Sequence, residues 1–167
     1  ILLTTAASAQ TNKLPALQTV ANVDLSRYVG KWYEITKYPN RFQKQCVANT
    51  TATYAMRPNG RLEVANECVK RDGTGERAVG EAKIADKKTN AKLKVRFAPG
   101  ALSFLPFVWG NYWIIDLDKN YGYVAIGEPK REYFWILARK PVLDDGVYQD
   151  IVRRAEAMGF SPAKIER

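Results

Sequence analysis

Side chains able to act as reagents are scarce in this sequence, and histidine, the usual proton carrier near neutral pH, is absent. Without it no Ser-His-Asp or Cys-His nucleophile pair and no histidine-ligated zinc can be assembled, so most hydrolase and metalloenzyme chemistries lose their main reagent. Glu34 and Asp116 are the carboxylates that fall on candidate inner faces of strands, and any acid–base turnover of a lipid-like substrate would rest on them. Pairing with Arg139 or with tyrosines is the structural use expected of both. The sequence therefore reads as a non-enzyme with no catalytic residues, no metal and no cofactor.

Cys46 and Cys68 are the two cysteines. The opening ILLTTAASAQ matches the end of a secretory signal, an apolar run closed by Ala7-Ser8-Ala9, so residues 1–9 are read as a signal remnant with cleavage near Ala9-Gln10. Export to the periplasm or beyond would place the cysteines in an oxidising compartment, where a bridge worth about 3 kcal/mol is the default expectation. One geometric objection stands. A simple hairpin turning at Asn59-Gly60 sets Cys46 opposite position 72 or 73, so a bridge to Cys68 needs a bulge or a chain that leaves the ladder early.

A second anomaly is the stretch ALSFLPFVWG, residues 101–110, where Leu102, Phe104, Leu105, Phe107 and Trp109 crowd around Pro106. The proline excludes a central strand and a helix interior, so this is an apolar loop. A loop of that kind is either a lid on the barrel rim or a membrane contact.

The elements that must carry these residues are legible from Lys31 onward, where the pattern has period two with turns every eight to twelve residues. Strands are predicted at 31–38, 47–57, 61–69, 77–85, 91–98, 111–117, 121–127 and 133–139. Eight such strands close an up-and-down antiparallel barrel, an all-β fold. Beyond Pro141 the period becomes 3.6: Val147, Ile151, Val152, Ala155 and Met158 form a stripe, Asp144 or Asp145 can cap it, and Gly159 ends it. One C-terminal helix is thus expected against the outer wall, followed by AKIER as a short final strand.

Strand parity puts the long loops at one end and three tight turns at the other. The long-loop end reads as a mouth, ringed by basic residues that include Arg71, Lys130 and Arg131 and carrying the apolar loop. The chain holds 26 Lys and Arg against 17 Asp and Glu, a formal charge of +9 that favours anionic partners. Because the basic residues alternate with apolar ones, as in KLKVRF, they read as the solvated face of a sheet rather than a nucleic-acid track. An amphiphile with an acyl tail, or an anionic membrane surface, fits this mouth better, and the chain is expected as a monomer or weak homodimer.

Alternation turns Leu93, Val95 and Phe97 inward on the fifth strand, and Leu62, Val64 and Asn66 on the third. Tyr54, Tyr112, Ile114, Tyr123, Tyr133 and Trp135 fall on candidate inner faces, together with the small residues Ala52, Gly80, Ala82 and Ala125, which favour a cavity over a filled core.

Gly30-Lys31-Trp32 in YVGKWYEI resembles the G-x-W signature of lipocalins, DLDKNYGYVAIGEP at 116–129 resembles their second signature, and Arg139 in LARKP resembles the arginine of their third. The resemblance spans 24–167, leaving 10–23 as an N-terminal segment. It is strongest to the bacterial outer-membrane lipoprotein type, related to apolipoprotein D and the plant temperature-induced lipocalins. It implies structural roles for Gly30, Trp32 and Arg139, with the arginine packed over the tryptophan at the barrel floor. It also implies a calyx faced by Ala52, Tyr54, Val64, Asn66, Tyr112, Tyr123, Tyr133 and Trp135, and binding of fatty acids or lysophospholipids without catalysis. No lipobox cysteine lies near Ala9-Gln10, so a periplasmic or secreted protein, peripheral at most on the outer membrane, is expected.

Overall fold

A computed structural model describes residues 14–97 and 109–167. The signal reading at 1–9 and the apolar-loop residues Leu102, Phe104, Leu105 and Phe107 lie outside the described residues. Eight antiparallel strands close into a barrel in sequence order. They are β1 (Gly30–Lys37), β2 (Cys46–Met56), β3 (Leu62–Lys70), β4 (Gly75–Ile84), β5 (Lys92–Arg96), β6 (Gly110–Leu117), β7 (Tyr123–Gly127) and β8 (Phe134–Ala138). A one-turn helix α1 (Leu25–Tyr28), which hydrophobic periodicity did not announce, precedes β1, and α2 (Asp145–Ala157) follows β8. The Asp144 side chain caps α2 by accepting from the Val147 amide at 3.0 Å, and Gly159 ends it with φ +92°. The AKIER tail is not a strand: a 3-10 turn at Pro162–Lys164 leads to a single antiparallel bridge between Lys37 and Glu166.

Two β-bulges answer the objection to the disulfide. Met56 pairs with Leu62 and the register holds to Thr51 opposite Glu67. It then slips one residue to Ala48 opposite Val69 and one more to Cys46 opposite Lys70, with Asn49 in the left-handed region at φ +52°. Cys46 is thereby drawn back toward Cys68, the Cα atoms stand 5.6 Å apart, and the two sulfurs are bonded.

The apolar residues divide into two cores. The inner one joins Trp32, Tyr54, Val64, Leu93, Tyr112, Ile114, Val124 and Ile126 inside the barrel, and the outer one joins Phe134, Ile136, Ala125 and Ile115 to Ile151, Val152 and Ala155 of α2. This division corrects two sequence assignments: Tyr123 and Ala125 face α2, not the interior. Both faces of β7 are apolar, so alternation carried no parity there. A bulge between Ile114 and Asp116 completes the inversion, pairing Ile114 with Ile126 inside and Asp116 with Ala125 outside. Asp116 accordingly bonds Arg154 of α2 at 2.8 Å, and Arg154 also donates to the Tyr123 hydroxyl at 3.1 Å.

The described part of the N-terminal segment, from Leu14 on, is part of the wall. Val23 and Leu17 are buried, and the Val20 and Val23 amides donate to the Ile114 and Thr89 carbonyls at 3.0 and 2.7 Å.

Candidate functional site

The turn end of the barrel is sealed from below. Helix α1 brings Tyr28 under the strands, and the buried Trp32 indole donates to the Tyr28 carbonyl at 2.8 Å. The Arg139 guanidinium lies 3.8 Å from the centre of the Trp32 ring and donates to the carbonyls of Arg27, Tyr28, Val29 and Lys31. One cation thus satisfies the end of α1 and caps the indole face. Gly30, at φ +99°, gives that guanidinium room, because a Cβ there would meet Arg139 Nη1 at 3.2 Å.

Above this plug the hydroxyl of Tyr112 bonds those of Tyr28 and Tyr54 at 2.6 and 2.8 Å. Burial pushes the Tyr54 phenol up to about 12 and raises Tyr28 and Tyr112 as well, so the triad stays neutral and hydrogen-bonded at physiological pH. Ala52, Val64, Ala82, Leu93 and Ile114 complete a tightly packed lower half, with Val95 partly buried against it.

The upper half differs. Register places Asn66 opposite Ala78 and Val64 opposite Gly80, so Ala78 and Gly80 share the inner face of β4, where one methyl and one hydrogen stand in place of larger groups. Phe97 lays its ring over Gly80, where a Cβ would meet Phe97 Cδ1 at 2.7 Å, and the phenylalanine remains 45% exposed. Asn66 is half-buried. Across the barrel Trp135 and Tyr133 stack with ring centres 6.0 Å apart, and Phe42 leans on Tyr133 at 5.7 Å.

A polar knot fastens the β1–β2 loop to this wall. The Gln43 amide donates to Glu34 at 2.7 Å, and its oxygen accepts from Trp135 Nε1 at 3.0 Å and from Asn40 at 2.8 Å. Burial raises the Glu34 carboxyl above its ordinary value, against the opposing pull of the Gln43 hydrogen bond and Lys37. Glu34 therefore sits at the mouth, not with Arg139 at the floor. With Asp116 turned outward, the two carboxylates do not form an inward acid–base pair.

Two residues assigned to the mouth are elsewhere engaged. Arg131 is buried and donates to the Met158 and Pro15 carbonyls at 3.1 and 2.7 Å and also to that of Pro129, so it clasps the N-terminal segment against the end of α2. Trp109 is 8% exposed and lies on the outer wall under Lys83, Arg96 and Arg61, at 4.2, 4.9 and 5.7 Å from its ring centre. Arg96 and Arg61 both bind Glu81 there. The pull of cations on an indole face outweighs the tryptophan's membership in an apolar run. Arg71 and Lys130 are exposed. Gln43 and Tyr28 escaped the sequence reading: a lone glutamine in a loop and a tyrosine in a one-turn helix carry no periodic signal.

A barrel plugged at one end, apolar within and loop-rimmed at the other, has the calyx architecture. The chain belongs to the lipocalin family, whose members bind small hydrophobic ligands: the lipocalin-like domain model matches residues 23–167. It is 37% identical over 155 residues to temperature-induced lipocalin-1 of Arabidopsis thaliana, covering 90% of this chain and 81% of that protein. It is 38% identical over 146 residues to the outer membrane lipoprotein Blc of Escherichia coli K12, covering 87% and 78%. Among solved structures, insecticyanin of the tobacco hornworm Manduca sexta superposes with a TM-score of 0.71 at 22% identity, over 92% of this chain and 84% of that one, a likeness of fold.

Proposed function

We propose that this protein carries or stores amphiphiles with one hydrocarbon tail, fatty acids or lysophospholipids, without turning them over. The tail would enter between Ala78, Gly80, Asn66 and Trp135 and stop above the tyrosine triad. The observation that carries this reading is the change along the inner face, from fully buried aromatics at the floor to small or part-exposed residues at the mouth. The outer membrane lipoprotein among its relatives supports a place in the lipid maintenance of the cell envelope, in the periplasm or outside the cell.

Burying about ten methylenes is worth on the order of 8 kcal/mol, so micromolar affinity is the ceiling for a tail of that length and association costs weaken it from there. Exposed ion pairs at the rim add about 1 kcal/mol or less, so the tail sets affinity and the charges orient the ligand. The test is displacement of a fluorescent fatty acid from an Ala78→Trp variant, which fills the upper half from an exposed inward position. Affinity should fall at least tenfold with little change in melting temperature; unchanged affinity would overturn the site.

A further inference from the structure

Beside the mouth lies a surface cleft that the hydrocarbon reading does not use. It has a volume of about 370 Å³ and is lined by Lys37, Pro39, Asn40, Arg41, Gln43, Lys44, Cys46 and Glu166. Three cations line the cleft with one carboxylate, Glu166, and a second, Glu34, stands 3.8 Å from Lys37. We propose that this cleft is an oxyanion site that takes a phosphate or carboxylate group, and that it holds the head of the amphiphile whose tail occupies the barrel. The head-group role rests on the calyx reading; the anion site itself does not.

The cleft has fixed walls, from which the exposed Arg41 and Lys44 project. On one side the backbones of Lys37 and Glu166 exchange hydrogen bonds at 3.0 and 2.8 Å, and the Thr36 hydroxyl also donates to the Glu166 carbonyl. On the opposite side Cys46 is tied to Cys68 by the disulfide. The loop between them is braced by Asn40, which donates to the Tyr38 carbonyl at 3.2 Å and accepts from the Phe42 amide at 3.1 Å. Ordering a binding loop in advance removes part of the entropic cost of capturing a small anion.

Its charges are available. The Lys37 ammonium stands 3.8 Å from Glu34 and 3.5 Å from Glu166, both long for charge-assisted hydrogen bonds, so a closer oxygen can compete for its three donors. Arg41 and Lys44 are exposed, Arg41 resting over the Phe42 ring at 5.1 Å. Gln43 lines this cleft and at the same time bonds Glu34 and Trp135, so it forms the partition between the anion site and the barrel interior. A phosphate held at Lys37 and Lys44 is therefore one side chain away from the proposed path of the tail.

Two measurements test the proposal. First, ¹⁵N-labelled wild-type protein is titrated with inorganic phosphate against chloride at constant ionic strength. Amide shifts that saturate and centre on residues 37–46 and 166 are expected; shifts spread over the surface lysines, or none, would overturn the site. Second, dodecyl phosphate and dodecanol compete for a fluorescent fatty acid on wild type, on Arg41→Glu/Lys44→Glu, and on a Lys87→Glu control from the exposed β4–β5 turn at the opposite end of the barrel. The phosphate should bind wild type and the control about two- to fivefold more tightly than the alcohol, an advantage that disappears in the double variant while dodecanol affinity stays unchanged. An advantage that survives the double variant would place the head elsewhere on the rim and overturn the head-group role. If dodecanol and dodecyl phosphate both fail to bind wild type, the calyx reading and the head-group role fall together, and the phosphate titration alone decides the anion site.

Discussion

The floor and the mouth of this barrel are built on opposite rules. At the floor every group is held several times over: Trp32 by packing, by a hydrogen bond and by Arg139, and the Tyr112 hydroxyl by two others. At the mouth the strands bulge, inner positions shrink to Ala78 and Gly80, and the β1–β2 loop is joined to the barrel wall through the Gln43 amide. Stabilising contacts are concentrated at the floor, below the proposed path of the tail. A void in a well-packed core is costly, so a protein that keeps one must place its stabilising contacts elsewhere.

If that contrast is sound, the floor should answer to substitution first. Trp32→Ala should lose about 3–5 kcal/mol in urea unfolding, because a buried indole leaves a cavity and strips Arg139 of its ring. Removing the bridge with Cys46→Ala/Cys68→Ala should cost about 3 kcal/mol by the same assay, most of it from the unfolded chain. The double variant should also loosen residues 39–46 in hydrogen exchange while the floor amides keep their protection; equal loosening at both ends would erase the distinction between them.

Tyr112→Phe is a finer probe. It removes the central hydroxyl from two buried partners and should cost about 1–2 kcal/mol. The alkaline limb sharpens it: with the Tyr54 phenol raised from 10.0 to about 12 in the folded protein, stability present below pH 10 is lost as pH climbs toward 12. Ultraviolet titration of wild type should leave a group of tyrosines un-ionised until that range, and Tyr112→Phe should shrink the group.

The smallest effect belongs to the mouth. Glu34 holds its proton above the ordinary carboxyl value of 4.5, so the folded state binds more protons than the unfolded chain just above that value. Wild-type stability should therefore fall, relative to Glu34→Gln, as pH rises from 4.5 through the raised value, read as the difference between two urea midpoints. A difference that grows in the other direction would mean that the carboxylate, held by Gln43 and Lys37, is the favoured form.

How much of this was readable in advance follows the same division. Where one face is wet and the other apolar, as in KLKVRF, the period-two pattern located β5 and its inward Leu93 and Val95. On β7 both faces are buried, and the inversion of Tyr123, Ala125 and Asp116 came from a bulge that composition does not mark. The cysteine pair was visible as a pair, and the obstacle to it was visible too; the two slips that resolve it were not. Trp109 and Arg131 were misplaced because hydrophobicity and charge were read along the chain, whereas their positions are set by three cations in one case and carbonyls of three segments in the other. Gln43 shows the general limit: one amide closing a network between distant elements has no local signature.

The most direct measurement is a crystal structure of the protein with a fatty acid brominated at its terminal carbon, located by anomalous scattering. The bromine should lie inside the barrel between Ala78, Gly80 and Trp135, above the hydroxyls of Tyr54 and Tyr112. Bromine found only on the outer wall, or an interior closed over by Phe97 and Trp135 with no density between them, would contradict a container that admits a hydrocarbon tail.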